Sequence, residues 1–278
     1  MSSLSLKGWL RYAGGKRSLA DTVLQRFRET QKRRLTSTCV GGGSVELAIC
    51  AGGSVEALRL ADANPAVRAF YAAPLDATLL SFVAHMEFSR LRGAINDAVT
   101  GRKPLPPRVL GALFWVYSRR CLNGIVRCNR KGELNVAEGR TASGKAPFIT
   151  HVDMAAAADL SKMLHSRPVT VLSDAVDAVL LAEDEFVFSD PPYTGGFVGY
   201  TAEGWTKEDD VRLFEALADA HKRSCPVLLC QPDTDWARDL AEQILPGWEV
   251  SEVKMARSVN SDGQGRAPVG ELLIWSGE

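Results

Sequence analysis

The sequence lacks the pairings that would build a metal or disulfide framework. Its six cysteines (Cys39, Cys50, Cys121, Cys128, Cys225 and Cys230) form no C-x-x-C pair, and zinc ligands have to cluster at short spacing. The four histidines, His85, His151, His165 and His221, are scattered too, so free thiols and no metal are expected. No run of eighteen apolar residues occurs, the length a helix needs to cross a bilayer, and no membrane partner is expected. Met1 to Trp9 carries no apolar stretch of the kind that opens an exported chain, which points to the cytoplasm. Net charge is missing as well: 33 Lys and Arg balance 33 Asp and Glu. By itself that argues against a polyanionic partner.

The distribution of charge says more than its sum. Residues 1–34 hold nine Lys and Arg against Asp21 and Glu29, a net +7. Residues 119–145 hold Arg119, Arg120, Arg127, Arg130, Lys131, Arg140 and Lys145 against Glu133 and Glu138, a net +5. The rest of the chain is therefore −12. Two basic segments can present a positive face to a phosphate backbone even on a neutral protein, although two solvated surfaces would have the same composition.

With 278 residues, 46 % of them hydrophobic, the chain is long enough for one large α/β domain carrying an inserted smaller one. Ser18 is placed to cap a helix running to about Arg34, with Leu19, Val23, Leu24 and Phe27 on one face. Leu35 to Val40 reads as a buried strand. It enters Gly41-Gly42-Gly43-Ser44, then a helix from Val45 to Ala51 and a strand from Val55 to Ala61 that ends at Asp62. Pro65 suits the first turn of the next helix. Strand, glycine turn, helix, strand and acidic residue is the sequence form of a nucleotide-binding βαβ unit. No lysine follows these glycines in phosphate-loop fashion, which disfavours a nucleoside triphosphate.

Residues 66–165 are helical by pattern, with the apolar run Leu113-Phe114-Trp115 as core. The pattern fails between Cys121 and Gly139, where basic, Asn and Gly residues take over and a projecting hairpin is expected. The α/β pattern resumes with strands Val169–Leu172, Glu185–Asp190 and Val227–Cys230, helices Lys207–Lys222 and Thr234–Leu245, and terminal strands Trp248–Met255 and Glu271–Trp275. Trp236 and Trp248 read as packing residues, and a polar loop containing Asn260, Asp262 and Arg266 separates the last two strands.

The sharpest motif is Asp190-Pro191-Pro192-Tyr193, directly after Phe186-Val187-Phe188. Ligands bind at the carboxyl ends of strands in such sheets. Asp-Pro-Pro is also good turn chemistry, but chance produces this tetrapeptide in a chain of this length on the order of once in a thousand. A carboxylate and a proline carbonyl can accept both N–H bonds of an exocyclic amine, hold its nitrogen in line with a methyl group and stabilise the positive charge that develops there. Proline offers the carbonyl without a competing N–H. Tyr193 would stack on an extruded base.

Five segments together resemble the Dam-type (class D12, group alpha) DNA adenine methyltransferases, in the order cofactor motif, recognition insertion, catalytic motif. Tyr12-Ala-Gly-Gly-Lys16 is similar to W-A-G-G-K, Gly41-Gly-Gly-Ser-Val45 to the cofactor turn, and Asp62-Ala-Asn-Pro65 to D-x-N-x. Asn123-Gly-Ile-Val-Arg-Cys-Asn-Arg-Lys-Gly-Glu-Leu-Asn-Val136 resembles the hairpin N-G-L-x-R-x-N-x-x-G-x-F-N-V, and Asp190-Pro-Pro-Tyr193 the catalytic segment.

The resemblance implies an S-adenosylmethionine-dependent, Rossmann-like sheet with an inserted helical DNA-recognition domain. Residues 1–65 and 166–278 would form the catalytic part, and 66–165 the insertion with its hairpin at about 121–139. The implied activity is methylation at N6 of an adenine flipped from double-stranded DNA, in a bacterial cytoplasm and compatibly with a phage or mobile-element or restriction-modification setting. Tyr12, Lys16, Gly41, Gly43, Ser44, Asp62, Asp174 and Asp190 would line the cofactor pocket. Asp190, Pro191, Pro192 and Tyr193 would hold the adenine. Leu122 would act as a wedge, Arg127 would read a base edge, and Asn123, Asn129, Lys131 and Asn135 would complete the DNA contacts. Nothing implies a protein partner.

This chain departs from the family at several positions. Ser37-Thr38-Cys39 stands where E-P-F usually precedes the cofactor turn, Ala175 where phenylalanine follows Asp174, Leu122 for an aromatic, and Ala137 for a proline. The family's usual GATC target is therefore not carried over. The missing acid at Ser37 leaves open a second reading, a DNA-binding relative that acts by occupying sites. A third class, methylation of RNA or of a protein side-chain amide, shares the x-P-P-Y chemistry but usually carries Asn at its first position.

Overall fold

The computed structural model describes residues 8–194, 204–255 and 269–277. The elements run α1 (Ala20–Glu29), β1 (Arg34–Thr38), α2 (Ser44–Gly52), β2 (Ala57–Ala61), α3 (Pro65–Ala72), α4 (Ala77–Ala84), α5 (Phe88–Val99), α6 (Pro107–Arg120) and α7 (His151–Leu164). They continue β3 (Val169–Leu172), α8 (Ala175–Leu180), β4 (Phe186–Ser189), α9 (Lys207–Lys222), β5 (Val227–Pro232), α10 (Asp235–Ile244), β6 (Glu249–Met255) and β7 (Val269–Trp275). Short 3-10 turns cover Arg17–Leu19 and Leu122–Gly124.

The seven strands form one sheet in the order β3-β2-β1-β4-β5-β7-β6. The first five run parallel, and β7 inserts antiparallel between β5 and β6. The central strands are buried on both faces: every residue of β4 is buried, and so are Leu35 to Thr38 of β1, whose Thr36, Ser37 and Thr38 are polar and hydrogen-bonded. Chain order reverses at the β1–β4 pair, and the crevice beyond that point is where a sheet of this kind binds ligands. On one face, Phe27, Leu58, Leu60, Phe186, Phe188, Leu228 and Leu273 share a core with the helices between β2 and β3, including Leu80, Leu91, Phe114 and Trp115. On the other face, Val187, Leu229, Leu272 and Ile274 pack against α8, α9 and α10.

Several elements begin or stop where side chains compete for the backbone. The helix expected to reach Arg34 stops at Glu29 because Thr30 Oγ1 donates to Phe27 O at 2.8 Å and Gln31 turns left-handed with φ 55°. Lys32 and Arg33 thus fall in a connection instead of on a helical face. The strand expected to reach Val40 ends at Thr38, since Cys39 takes φ 55°. Thr150 and Thr206 each close a capping box with the aspartate three residues on, and Asn64 caps α3 ahead of Pro65.

Residues 121–139 fold back as a hairpin with two isolated antiparallel bridges, Cys121 to Glu138 and Cys128 to Leu134. Val126, Leu134 and Val136 are buried beneath it. The side chain of Asn96 in α5 clamps Leu134 through both of that residue's backbone groups, at 2.8 and 3.1 Å. Two of the arginines in this basic segment are structural. Arg119 reaches Asp153 and Trp9 O, both at 3.0 Å, and Arg120 reaches Glu138 and Met86 O, both at 2.6 Å. Arg127, Arg130, Lys131, Arg140 and Lys145 are exposed. None of the six cysteines forms a disulfide. The Asn260–Arg266 loop lies outside the described residues.

Candidate active site

The β1–β4 register brings the two principal motifs together. Thr38 pairs with Ser189 across parallel strands, and their hydroxyls lie 2.7 Å apart. The chain leaves β1 for the glycine turn and leaves β4 for Asp190, so both segments rise from the same end of adjacent strands.

The turn is held from three directions. Val40 N–H donates to Ala61 O at the end of β2 at 2.9 Å. Asp62 accepts Gly41 N–H at 2.9 Å with one carboxylate oxygen and Asn64 N–H at 2.8 Å with the other. Tyr71 of α3 donates its hydroxyl to Gly41 O at 3.0 Å, and Trp9 its indole N–H to Gly42 O at 2.9 Å. Glycine is required at residue 43, where φ is +64° and a Cβ would sit 2.2 Å from the Tyr71 hydroxyl. The ring of Tyr12 covers the other side, 3.1 Å from where a Gly41 Cβ would be. Burial pushes the Asp62 carboxyl up to about 6, against the pull of the two N–H bonds and Arg68.

Four polar side chains converge at the loop after β4. Lys16 places its ammonium 2.8 Å from Asp190 and 3.6 Å from Glu271, and 5.0 Å from the centre of the Tyr193 ring. The Tyr193 hydroxyl donates to Glu271 Oε1 at 2.9 Å. Glu271 Oε2 is buried with no hydrogen-bond donor. Burial drives the Asp190 carboxyl above the usual carboxylate range, Lys16 pulls it back and Glu271 pushes it further. Burial alone would lower the Lys16 ammonium, but the negative charges around it, Asp190 foremost, hold it above its ordinary value. Two carboxyl groups thus flank one ammonium in this buried group.

The Asp190–Tyr193 segment is tied down beyond Tyr193 as well. Thr194 donates its hydroxyl to the buried Asp210 carboxylate. That carboxylate also accepts the indole N–H groups of Trp205 at 2.8 Å and Trp236 at 3.0 Å. Trp236, expected as a packing residue, thus takes part in a polar anchor.

The missing acid before the glycine turn has a counterpart. Ser37 donates its hydroxyl to Glu46 of α2, a carboxyl only 2 % exposed. Burial raises that carboxyl to about 7, opposed by the Ser37 bond and assisted by the charge of Asp190.

The remaining expected residues divide by geometry. Ser44 begins α2, and Asp174 caps α8 through the N–H groups of Val176 and Asp177. In the hairpin, Leu122, Asn123, Arg127, Lys131 and Asn135 are exposed, and Arg127 Nε donates to Asn135 Oδ1 at 3.0 Å. Asn129 accepts the N–H groups of Lys131 and Glu133, so its side-chain oxygen shapes the turn. Gly124 packs 3.0 Å from the side chain of Arg11 (measured from the position a Cβ would take), which sets the root of the hairpin beside Tyr12. Sequence reasoning missed Glu271, Glu46, Trp9, Tyr71 and Asp210. Only Glu271 left a signal, an acid at the head of the buried run Leu272-Leu-Ile-Trp275, which mirrors Asp190 at the tail of Phe186-Val-Phe188.

Comparison with known proteins covers most of the chain. Residues 12–257 match the family described as D12 class N6 adenine-specific DNA methyltransferase. The DNA N-6-adenine-methyltransferase of Escherichia phage P1 is 29 % identical over 95 % of this chain and 34 % of its own length, so the chain spans about a third of that phage protein. The DNA adenine methylase of Vibrio cholerae is 28 % identical over 96 % of this chain and 95 % of its own. The DNA adenine methylase of Escherichia coli K12 is 26 % identical over 96 % and 94 %.

Proposed function

Because the chain belongs to the D12 class N6 adenine-specific DNA methyltransferases, we propose an assignment of its residues to methyl transfer onto N6 of an adenine in DNA. S-adenosylmethionine, the methyl donor of such enzymes, supplies an electrophilic methyl group on a sulfonium cation. The residues present suit it: a turn without side chains lets the cofactor approach the backbone, and the neighbouring β4 loop supplies acidic and aromatic groups that favour a sulfonium cation. Tyr12, Lys16, Gly41, Gly43, Ser44, Asp62, Asp174 and Asp190 would hold it. Asp62 contributes first by fixing the Gly41 and Asn64 N–H groups, which sets the shape of the turn.

Asp190 and the Pro191 carbonyl accept the two N–H bonds of the exocyclic amine, which orients its lone pair toward the methyl and offsets the charge that arrives on nitrogen. Pro192 fixes the backbone so that no N–H competes. Tyr193, held by its hydroxyl on Glu271, stacks on an adenine extruded from double-stranded DNA. Leu122, 46 % exposed, fills the gap left in the duplex. Arg127 reads a base edge, and Asn123, Lys131 and Asn135 contact the backbone. The helical segment 66–165 carries that hairpin and serves target recognition, and residues 1–65 and 166–278 carry the chemistry, in the cytoplasm.

The observation that carries this reading is the Thr38–Ser189 register, which sets donor turn and acceptor loop side by side. Sequencing DNA with modified-base detection, from cells expressing the protein, is the test. N6-methyladenine is expected with the intact chain and absent with Asp190→Ala, which keeps DNA binding. Transfer by the Asp190→Ala protein at the full rate would remove the mechanism. The site-occupancy reading drew on the missing acid at Ser37, and the Glu46 carboxyl on that hydroxyl takes away much of its ground. Calorimetric titration with S-adenosylmethionine separates the two, since no heat at high cofactor favours occupancy.

A further inference from the structure

Asp190 has two conflicting duties. Without a base bound, it neutralises Lys16 at 2.8 Å. To accept an amine N–H it has to turn toward the base a carboxylate whose charge, through Oδ1, already serves Lys16. Lys16 is 6 % exposed and cannot be left without an anion, because a buried charge stripped of its partner is strongly destabilising. Around that ammonium stand Asp190 and Tyr193 from the loop after β4, Cys230 on β5, and Glu271 on β7; Glu46 on α2 acts on the same cluster electrostatically. Cys230 is a buried thiol held well above its ordinary range by burial, so it is neutral. Glu46 is turned to Ser37. Glu271 is the second carboxylate within ion-pair distance: its Oε1, which accepts the Tyr193 hydroxyl, lies 3.6 Å from the ammonium, and its Oε2 is buried with no hydrogen-bond donor.

We propose that Glu271 is the second berth of Lys16: as the target amine docks on Asp190, the lysine passes to Glu271, and Asp190 is freed to accept the N–H. Closing from 3.6 Å to an ordinary ion-pair length of about 2.8 Å moves the ammonium by less than about 1 Å, within reach of a rotamer adjustment. Charge is conserved throughout. The ammonium keeps its proton and makes Glu271 its nearer carboxylate in place of Asp190, while Asp190 turns its freed lone pairs to the amine N–H. Glu271 thereby acts through Lys16 and Asp190, as a positioning residue. This rests on the adenine reading above and deepens it.

A double-mutant cycle tests the handover, with two readouts. One is single-turnover methyl transfer. The other, without cofactor, is the fluorescence rise when 2-aminopurine, placed throughout an A-rich duplex, is extruded. Glu271→Gln keeps an acceptor for Tyr193 but removes the charge. It is expected to lower both readouts about tenfold in the parent, and by less than about twofold when Lys16 is already Met, because no ammonium then needs rehousing. Glu271→Asp should restore part of the loss. Tyr193→Phe, which removes only the hydroxyl, controls for the other role of Glu271. Equal, additive losses in both Lys16 backgrounds would overturn the proposal, as would Glu271→Gln behaving like the parent. If the Gln variant does not fold, Glu271→Asp in the two backgrounds decides by the same criterion. Absence of methyl transfer by the parent itself, with extrusion intact, would instead defeat the adenine reading.

Discussion

Replacing Glu46 by Gln should make the protein more stable at pH 8 and leave it unchanged at pH 4.5. Glu46 is 2 % exposed and its carboxyl is raised from 4.5 to about 7, by burial first and by the charge of Asp190, against the Ser37 bond. A carboxyl whose folded value lies above its unfolded value binds its proton more tightly in the native state. The penalty is absent below pH 4.5, accrues as pH rises from 4.5 through 7, and is complete above 7. A displacement of about 2.5 units at about 1.36 kcal/mol each amounts to about 3 kcal/mol. For a domain of this size 1 kcal/mol is worth roughly 2–4 °C, so the Tm gain at pH 8 is about 6–12 °C. Gln keeps an oxygen for the Ser37 hydroxyl, which isolates the charge. The assay is a Tm series from pH 4.5 to 8.5 on both proteins. Asp62, with its carboxyl at about 6, slopes the same way in both, so the difference between the curves is the quantity to read. Parallel curves, with no divergence between pH 4.5 and 7, would refute the reasoning.

Gly43→Ala forces a side chain onto φ +64° and onto the Tyr71 hydroxyl. A loss of about 2–4 kcal/mol is expected, with partial relief in the Tyr71→Phe background, as denaturant unfolding would measure. Arg127→Ala should cost about 1–3 kcal/mol of binding on preferred sites and flatten sequence preference, whereas Lys131→Ala should weaken binding evenly and reduce the salt slope by about 1. Methylation-site profiles and binding isotherms at several salt concentrations separate the two.

How much was legible depended on how local each interaction is. Asp190-Pro191-Pro192-Tyr193 and the Gly41–Ser44 turn stand out because backbone demands are written in adjacent residues, and β3 and α9 fall where their apolar periods place them. Glu271 lies 255 residues from Lys16, and only the antiparallel return of β7 beside β5 brings it to the site. No periodicity encodes that. The charge count erred for a similar reason: Arg119 and Arg120 look like part of a basic surface, yet both are drawn inward to carboxylates and carbonyls supplied by distant segments. The early end of α1 came from Thr30, whose hydroxyl competes for a backbone carbonyl in a way a hydrophobic pattern cannot show.

The core that Phe114, Trp115, Leu80 and Leu91 share with the sheet has a consequence for redesign. The hairpin rides on helices whose inner sides are mortared into the same interior as the strands. A chimera that grafts only residues 121–139 from a relative would keep Asn96 as its clamp but inherit a foreign seat under Val126, Leu134 and Val136. On the proposed reading of the hairpin as the target-recognition element, exchanging specificity therefore means transplanting the supporting α5 and α6 along with the loop, or repacking their inner faces to receive it.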